Sequence, residues 1–224
     1  MAREIGHRLP RERLLYYADC LRAPWGVRPP EEVRTLAEGI TAWLLQRGAK
    51  LIVVACNTAS IHALAHLRGT FPHVRFVGIV PAVKPAARMT RTGRIGVLVT
   101  AASARGKVLA DLLDQFVHPL GVEARIAVPH GLVEQVERGQ LAAPETRRVL
   151  SECLAPLMEE NVDTLALGCT HYPFVSDLIR EVTGGRIQLI DPAPAVAAQC
   201  ARVLEETGLA AGGPERTFPE QLEI

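Results

Sequence analysis

The chain has 224 residues, 48 % of them hydrophobic, enough to bury one large domain or two compact lobes. Lysine and arginine total 25 against 24 acidic residues, a formal charge of +1, so there is no basic footprint for nucleic acid and no acidic tail. Aromatic residues make up 4 %, too few for a base-stacking platform.

The opening Met-Ala-Arg-Glu-Ile-Gly-His-Arg alternates charged and apolar residues and lacks the apolar stretch of a signal peptide. Apolar runs reach about six residues against the roughly 20 that span a bilayer, so no membrane partner is expected and the cytoplasm is the expected location. Residues 14–18 read as a first strand. Pro29 and Pro30 open a helix with Val33, Leu36, Ala37, Ile40 and Leu44 on one stripe, closed near Gly48. The apolar run 51–55 reads as a strand covered on both faces. Further strands are expected at 94–100, 122–128, 164–167 and 186–190. Between them, Leu109, Leu112, Leu113 and Phe116 form one helix stripe, and Val149, Leu150, Cys153, Leu154 and Leu157 another. Cys153 and Cys200 fall on such stripes and read as core, because unpaired cysteine is commonly buried. After Gly208 the sequence turns to Gly, Ala and Pro, and a loosely held tail is expected. Strands alternating with helices give an α/β fold with mostly parallel sheets.

Five cysteines, Cys20, Cys56, Cys153, Cys169 and Cys200, make an odd count without a C-x-x-C pair, which speaks against a disulfide framework. Cys169 and His171 lack companions at zinc-site spacing, and no glycine-rich phosphate fingerprint precedes a helix. Neither metal nor cofactor is therefore expected.

Two stretches share one plan. Leu-Ile-Val-Val-Ala-Cys56-Asn-Thr-Ala-Ser and Thr-Leu-Ala-Leu-Gly-Cys169-Thr-His-Tyr-Pro each run from apolar strand to cysteine, two polar residues and a helical pattern. The echo predicts two similar α/β lobes related by a pseudo-two-fold, residues 1–81 with 196–224 and residues 82–195, with an active site in the cleft between them. Asn57, Thr58, Thr170 and His171 surround the thiols with donors and acceptors; Asn and Thr before a helix also serve as ordinary N-caps. Two matched thiols suit inversion at carbon. One face needs a base and the other an acid, and reversibility makes them exchange roles.

Val-Val-Ala-Cys-Asn-Thr-Ala-Ser (53–60) and Leu-Gly-Cys-Thr-His-Tyr-Pro (167–173) resemble the two active-site motifs of glutamate racemases. Tyr-Tyr-Ala-Asp (16–19), Pro-Trp-Gly (24–26), Pro-Ala-Val-Lys-Pro-Ala (81–86) and Gly-Val-Leu-Val-Thr (96–100) match the same family in the same order. The resemblance implies a cofactor-independent enzyme that interconverts L- and D-glutamate and supplies D-glutamate for peptidoglycan. It implies that Cys56 takes the α-proton of the D-isomer, that Cys169 takes that of the L-isomer, and that His171 assists Cys169. Glu137 matches a carboxylate near that second thiol, although a lone Glu in Val-Glu-Gln-Val-Glu-Arg-Gly also reads as a solvated helix face. Trp25, Gly26, Asn57, Thr58, Thr100, Thr170 and His171 match substrate-holding positions. A homodimer is compatible with the sequence, which does not fix oligomeric state. His171 disfavours the aspartate and hydantoin relatives, which usually lack it.

Three departures stand out. Pro-Trp-Gly replaces the family's Pro-Tyr-Gly, and Ser103 replaces a threonine three residues after Thr100. The family's opening strand with Asp-Ser-Gly has no counterpart, and Met1–Ile5 matches the middle of the helix that follows it. From typical element lengths, about 15 to 20 residues are expected to precede Met1. The first reading is then an active racemase whose start lies upstream, with the chain as given expected to be inactive or poorly folded; the alternative is an inactive remnant that binds an amino acid or a protein partner.

Overall fold

The computed structural model describes residues 1–223. In chain order the elements are α1 (Ala2–Arg8), β1 (Leu14–Leu15), α2 (Pro30–Gln46), β2 (Leu51–Val54), α3 (Asn57–Thr70), β3 (Arg75–Gly78) and α4 (Val83–Met89). Then come β4 (Arg94–Val99), α5 (Ala101–Ala104), α6 (Lys107–Phe116), β5 (Glu123–Ala127), α7 (Leu132–Glu137) and α8 (Pro144–Glu159). The chain continues through β6 (Thr164–Gly168), α9 (Ser176–Val182), β7 (Gln188–Ile190), α10 (Ala193–Glu206) and β8 (Leu222–Glu223). All the strand pairings are parallel, in an α/β architecture.

The chain divides into two units. The first comprises Met1–Ile79 and the chain from Ala193 onward; the second is Val80–Pro192. In the first, β2 pairs with β3, Val54 lying opposite Gly78. Ile52 and Phe76 face α2 and α3, packing with Val33, Ala37, Ala63 and Leu67. Leu51, Val53 and Val77 face the other way, onto Ile5 of α1 and Val196, Ala197 and Cys200 of α10. Side chains alternate across a strand, so a parallel pair is covered on both faces only if both sets are apolar. That is why Leu51–Val54 reads as an unbroken apolar run. Helix α2 starts with Pro30 and carries Glu31 and Glu32 in its first turn, where a fixed φ and negative charge both suit a helix start.

In the second unit the strand order is β5-β4-β6-β7. Ile95, Val97 and Val99 pack with Leu109 of α6 and Ala86 of α4 on one face. Leu98, Leu165 and Leu167 pack on the other with Leu150, Leu154 and Leu157 of α8 and Ile179 of α9. Each such side chain contributes about 1.5–3 kcal/mol when fully buried. No helix among the described residues is long and apolar enough to cross a membrane.

Three expectations are corrected. The first strand spans only Leu14–Leu15, paired with Leu222–Glu223, and the chain then turns as the Tyr17 ring packs edge-on against Trp43. Strand β3 was not expected, although Val74-Arg-Phe-Val-Gly-Ile-Val before Pro81 carries its signal. The segment after Gly208 is tied down rather than loose. The buried Glu12 carboxylate pairs with Lys50 at 2.8 Å and accepts the Ala211 N–H at 2.7 Å, and the Arg216 N–H donates to the Pro10 carbonyl at 2.8 Å. A buried carboxylate needs donors, and composition does not reveal where they come from.

Candidate active site

In the first unit, β2 delivers the chain to Cys56, which stays extended and stands as the N-cap of α3. Asn57 and Thr58 lie inside that helix, so neither is the ordinary cap that their residue types allow. The Thr58 and Ala59 N–H groups and the Thr58 hydroxyl reach the Cys56 sulfur and favour its thiolate, as a helix start does. Burial nevertheless outweighs them and pushes the thiol pKa above its ordinary value. The residue is half-buried by overall area, but its sulfur is closely surrounded, and the sulfur sets the titration. Asn57 is 3 % exposed, and neither its Nδ2 nor its Oδ1 has a hydrogen-bond partner. A buried amide in that condition costs stability, and in native proteins it points to a ligand or water partner.

Trp25 and Gly26 form a single turn, Trp25–Val27, and Trp25 packs into the same apolar cluster as Cys56. The loop bearing them is held by Arg22 paired with Asp19 at 2.9 Å, and by Arg28 Nε donating to the Arg22 carbonyl at 2.8 Å. Asp19 Oδ2 is buried without a partner, a feature sequence reasoning missed. Its only signal is its place in Tyr-Tyr-Ala-Asp.

In the second unit, β6 ends at Gly168. A Cβ there would lie 2.9 Å from the Leu98 carbonyl oxygen and 3.2 Å from Pro81, so only glycine lets β6 close on β4 just before Cys169. Cys169 is 8 % exposed and begins a turn, with Thr170 half-buried beside it, that leads into a 3-10 segment at Tyr172–Val175 and then α9. His171 Nδ1 lies 3.6 Å from the Cys169 sulfur, and His171 Nε2 lies 2.5 Å from Glu137 Oε1. Glu137, the last residue of α7, is therefore more than a solvated helix face. With Glu137 accepting the Nε2 proton, Nδ1 is left to accept the thiol proton; a protonated ring donates to a thiolate instead. Thr100 stands apart from this row. It caps α5, accepting the Ser103 N–H at 3.3 Å and donating to Ser103 Oγ at 3.1 Å. Among the described residues no three His, Cys, Asp or Glu side chains group as metal ligands.

The sequence model of the Asp/Glu/Hydantoin racemase family matches residues 1–200. The chain belongs to that family of isomerases. The glutamate racemase of Roseiflexus sp. (strain RS-1) is 48 % identical over 207 residues, covering 92 % of this chain and 75 % of that one. The glutamate racemase of Pseudomonas aeruginosa (strain UCBPP-PA14) is 45 % identical over 228 residues, 99 % of this chain and 85 % of the other. Among solved structures, Escherichia coli glutamate racemase in complex with L-glutamate and the activator UDP-MurNAc-Ala superposes with a TM-score of 0.83. It is 29 % identical, covering 97 % of this chain and 80 % of that chain. Thermus thermophilus glutamate racemase in complex with β-chloro-D-alanine gives 0.77 at 34 % identity, with the same coverage. The Ser103 hydroxyl serves the Thr100 cap. Trp25 is half-buried.

Proposed function

We propose that this racemase interconverts L- and D-glutamate without a cofactor, in the cytoplasm, and supplies D-glutamate for peptidoglycan. The observation that carries the reading is the row Cys169–His171–Glu137, a thiol next to an imidazole that a carboxylate orients. In the L-to-D direction the Cys169 thiolate takes the α-proton. The C–H electron pair is left on Cα, delocalised into the carboxylate, and Cys56 delivers its S–H proton to the opposite face. Cys169 ends as thiol and Cys56 as thiolate, so the reverse reaction starts with the roles exchanged. Glu137 holds the His171 tautomer and offsets the charge that the ring gains on accepting the thiol proton. Asn57, with its unspent amide, and Thr58, Thr170, Trp25 and Gly26 hold the amino acid's polar groups. Thr100 Oγ1, bonded twice to Ser103, keeps one lone pair with which to accept from the substrate.

The test is racemisation of either enantiomer by protein dialysed against chelator and freed of pyridoxal phosphate. Whatever activity the untreated protein has is expected to survive both treatments. Activity that returns only with a metal or pyridoxal phosphate would sink the two-thiol reading.

A further inference from the structure

Three residues into α3, Ser60 is 7 % exposed and its hydroxyl makes two bonds that leave the helix. Oγ donates to the Val54 carbonyl at 3.0 Å and accepts the Ile79 N–H at 2.9 Å. Val54 lies opposite Gly78, so these two backbone groups stand where the β2–β3 ladder ends. A serine inside a helix usually bonds back to the carbonyl four residues earlier. Here that carbonyl, on Cys56, takes the Ser60 N–H at 2.8 Å, and the hydroxyl reaches past it to the strand. Ser60 thus ties the start of α3 to the ends of β2 and β3, and the bond to Val54 spans Cys56. Gly78 makes the room, because a Cβ there would lie 3.2 Å from Ser60 Oγ and 2.5 Å from Leu64 Cδ2. At the other thiol, four residues on, stands Pro173, which has neither hydroxyl nor N–H.

We propose that Ser60 is a positioning residue for Cys56, fixing the strand-to-helix arc that aims its thiol. The proposal rests on the reading of Cys56 as a proton carrier. A hydroxyl can donate and accept at once, so it serves both strand ends; alanine and valine serve neither, and threonine serves both.

The experiment compares Ser60→Ala, Ser60→Val and Ser60→Thr by thermal melting, by racemisation, by α-deuterium wash-in to each enantiomer, and by the rate of Cys56 alkylation read by peptide mass spectrometry. The enantiomers have equal free energy, so kcat/KM must fall by one factor in both directions. For alanine and valine that factor is expected to be about 10 to 100, with KM little changed, as for a misplaced reacting group. Wash-in to unreacted L-glutamate needs Cys169 alone and should stay within about twofold, while wash-in to D-glutamate falls with racemisation. The Cys56 alkylation rate should change by about threefold or more in both variants and recover in Ser60→Thr. Equal losses of wash-in to both enantiomers, or an unchanged Cys56 alkylation rate in a folded alanine variant, would overturn the proposal. So would loss of cooperative melting in both alanine and valine variants, which would make the hydroxyl a fold determinant instead. A wild-type protein that exchanges neither enantiomer fails the racemase reading, whereas the alkylation comparison, which uses no substrate, still decides the role of Ser60.

Discussion

At the scale of single residues, the two cysteines share a strand-end position and differ in what surrounds them. Cys169 has an imidazole 3.6 Å away with a carboxylate behind it, whereas the Cys56 sulfur has helix-start N–H groups and a hydroxyl. Burial holds the Cys56 thiol above its ordinary pKa, so its resting form is the protonated thiol that the proposed L-to-D step draws on. That asymmetry gives each cysteine a separate assay. Cys56→Ala should lose racemisation by about 10²–10⁴ yet still wash deuterium into L-glutamate, because Cys169 can remove and return a proton on its own face. Cys169→Ala should do the converse with D-glutamate. Deuterium incorporation without inversion, followed by proton NMR on each pure enantiomer, is the measurement. Loss of both exchanges in either variant would show that the thiols do not divide the enantiomers between them.

At the scale of elements, each thiol stands where a strand gives way to helix, and the strand must be packed tightly for that position to be defined. Gly168 is the point of closest approach, facing backbone as well as the Val99 and Pro81 side chains. Gly168→Ala should therefore destabilise by about 1–3 kcal/mol, since backbone cannot swing aside, and lower Tm by roughly 2–4 °C for each of those kcal/mol. Calorimetry reads this directly, and an unchanged Tm would mean that β6 shifts freely against β4. The sequence made most of these elements visible because strands buried on both faces leave unbroken apolar runs, as at Leu51–Val54 and Thr164–Gly168. It also made both cysteines visible, by their repeated setting. What it concealed depends on long-range partners. Residue pattern alone left Glu137 open to reading as a solvated helix face, and only the family resemblance set it near the second thiol, where His171, 34 residues on, meets it. The tail after Gly208 looked loose because the donors and acceptors that hold it come from Glu12, Lys50 and Pro10. The cap made by Thr100 was hidden for the opposite reason, a local bond that residue type alone does not announce.

At the scale of the whole molecule, each unit has its own core, and each core holds a thiol outside the proposed chemistry. Cys200, fully buried on α10, and Cys153, half-buried on α8, are both pushed by burial from 9.0 up to about 11. Burial raises a thiol pKa because it disfavours the charged form, and the same preference is a linkage between folding and protons. The folded chain keeps these protons more tightly than the unfolded one. Their contribution to stability is therefore complete below the unfolded value of 9.0 and is lost as pH rises toward about 11. Melting temperature should accordingly hold steady to near pH 9.0 and decline above it. The Cys153→Ala/Cys200→Ala double variant should start less stable, since removing buried sulfur leaves unfilled space, but should decline less steeply over that interval. The comparison is of slopes, so the lower starting point does not obscure it. Parallel decline in wild type and double variant would assign the alkaline loss to other groups and leave these two thiols as packing alone.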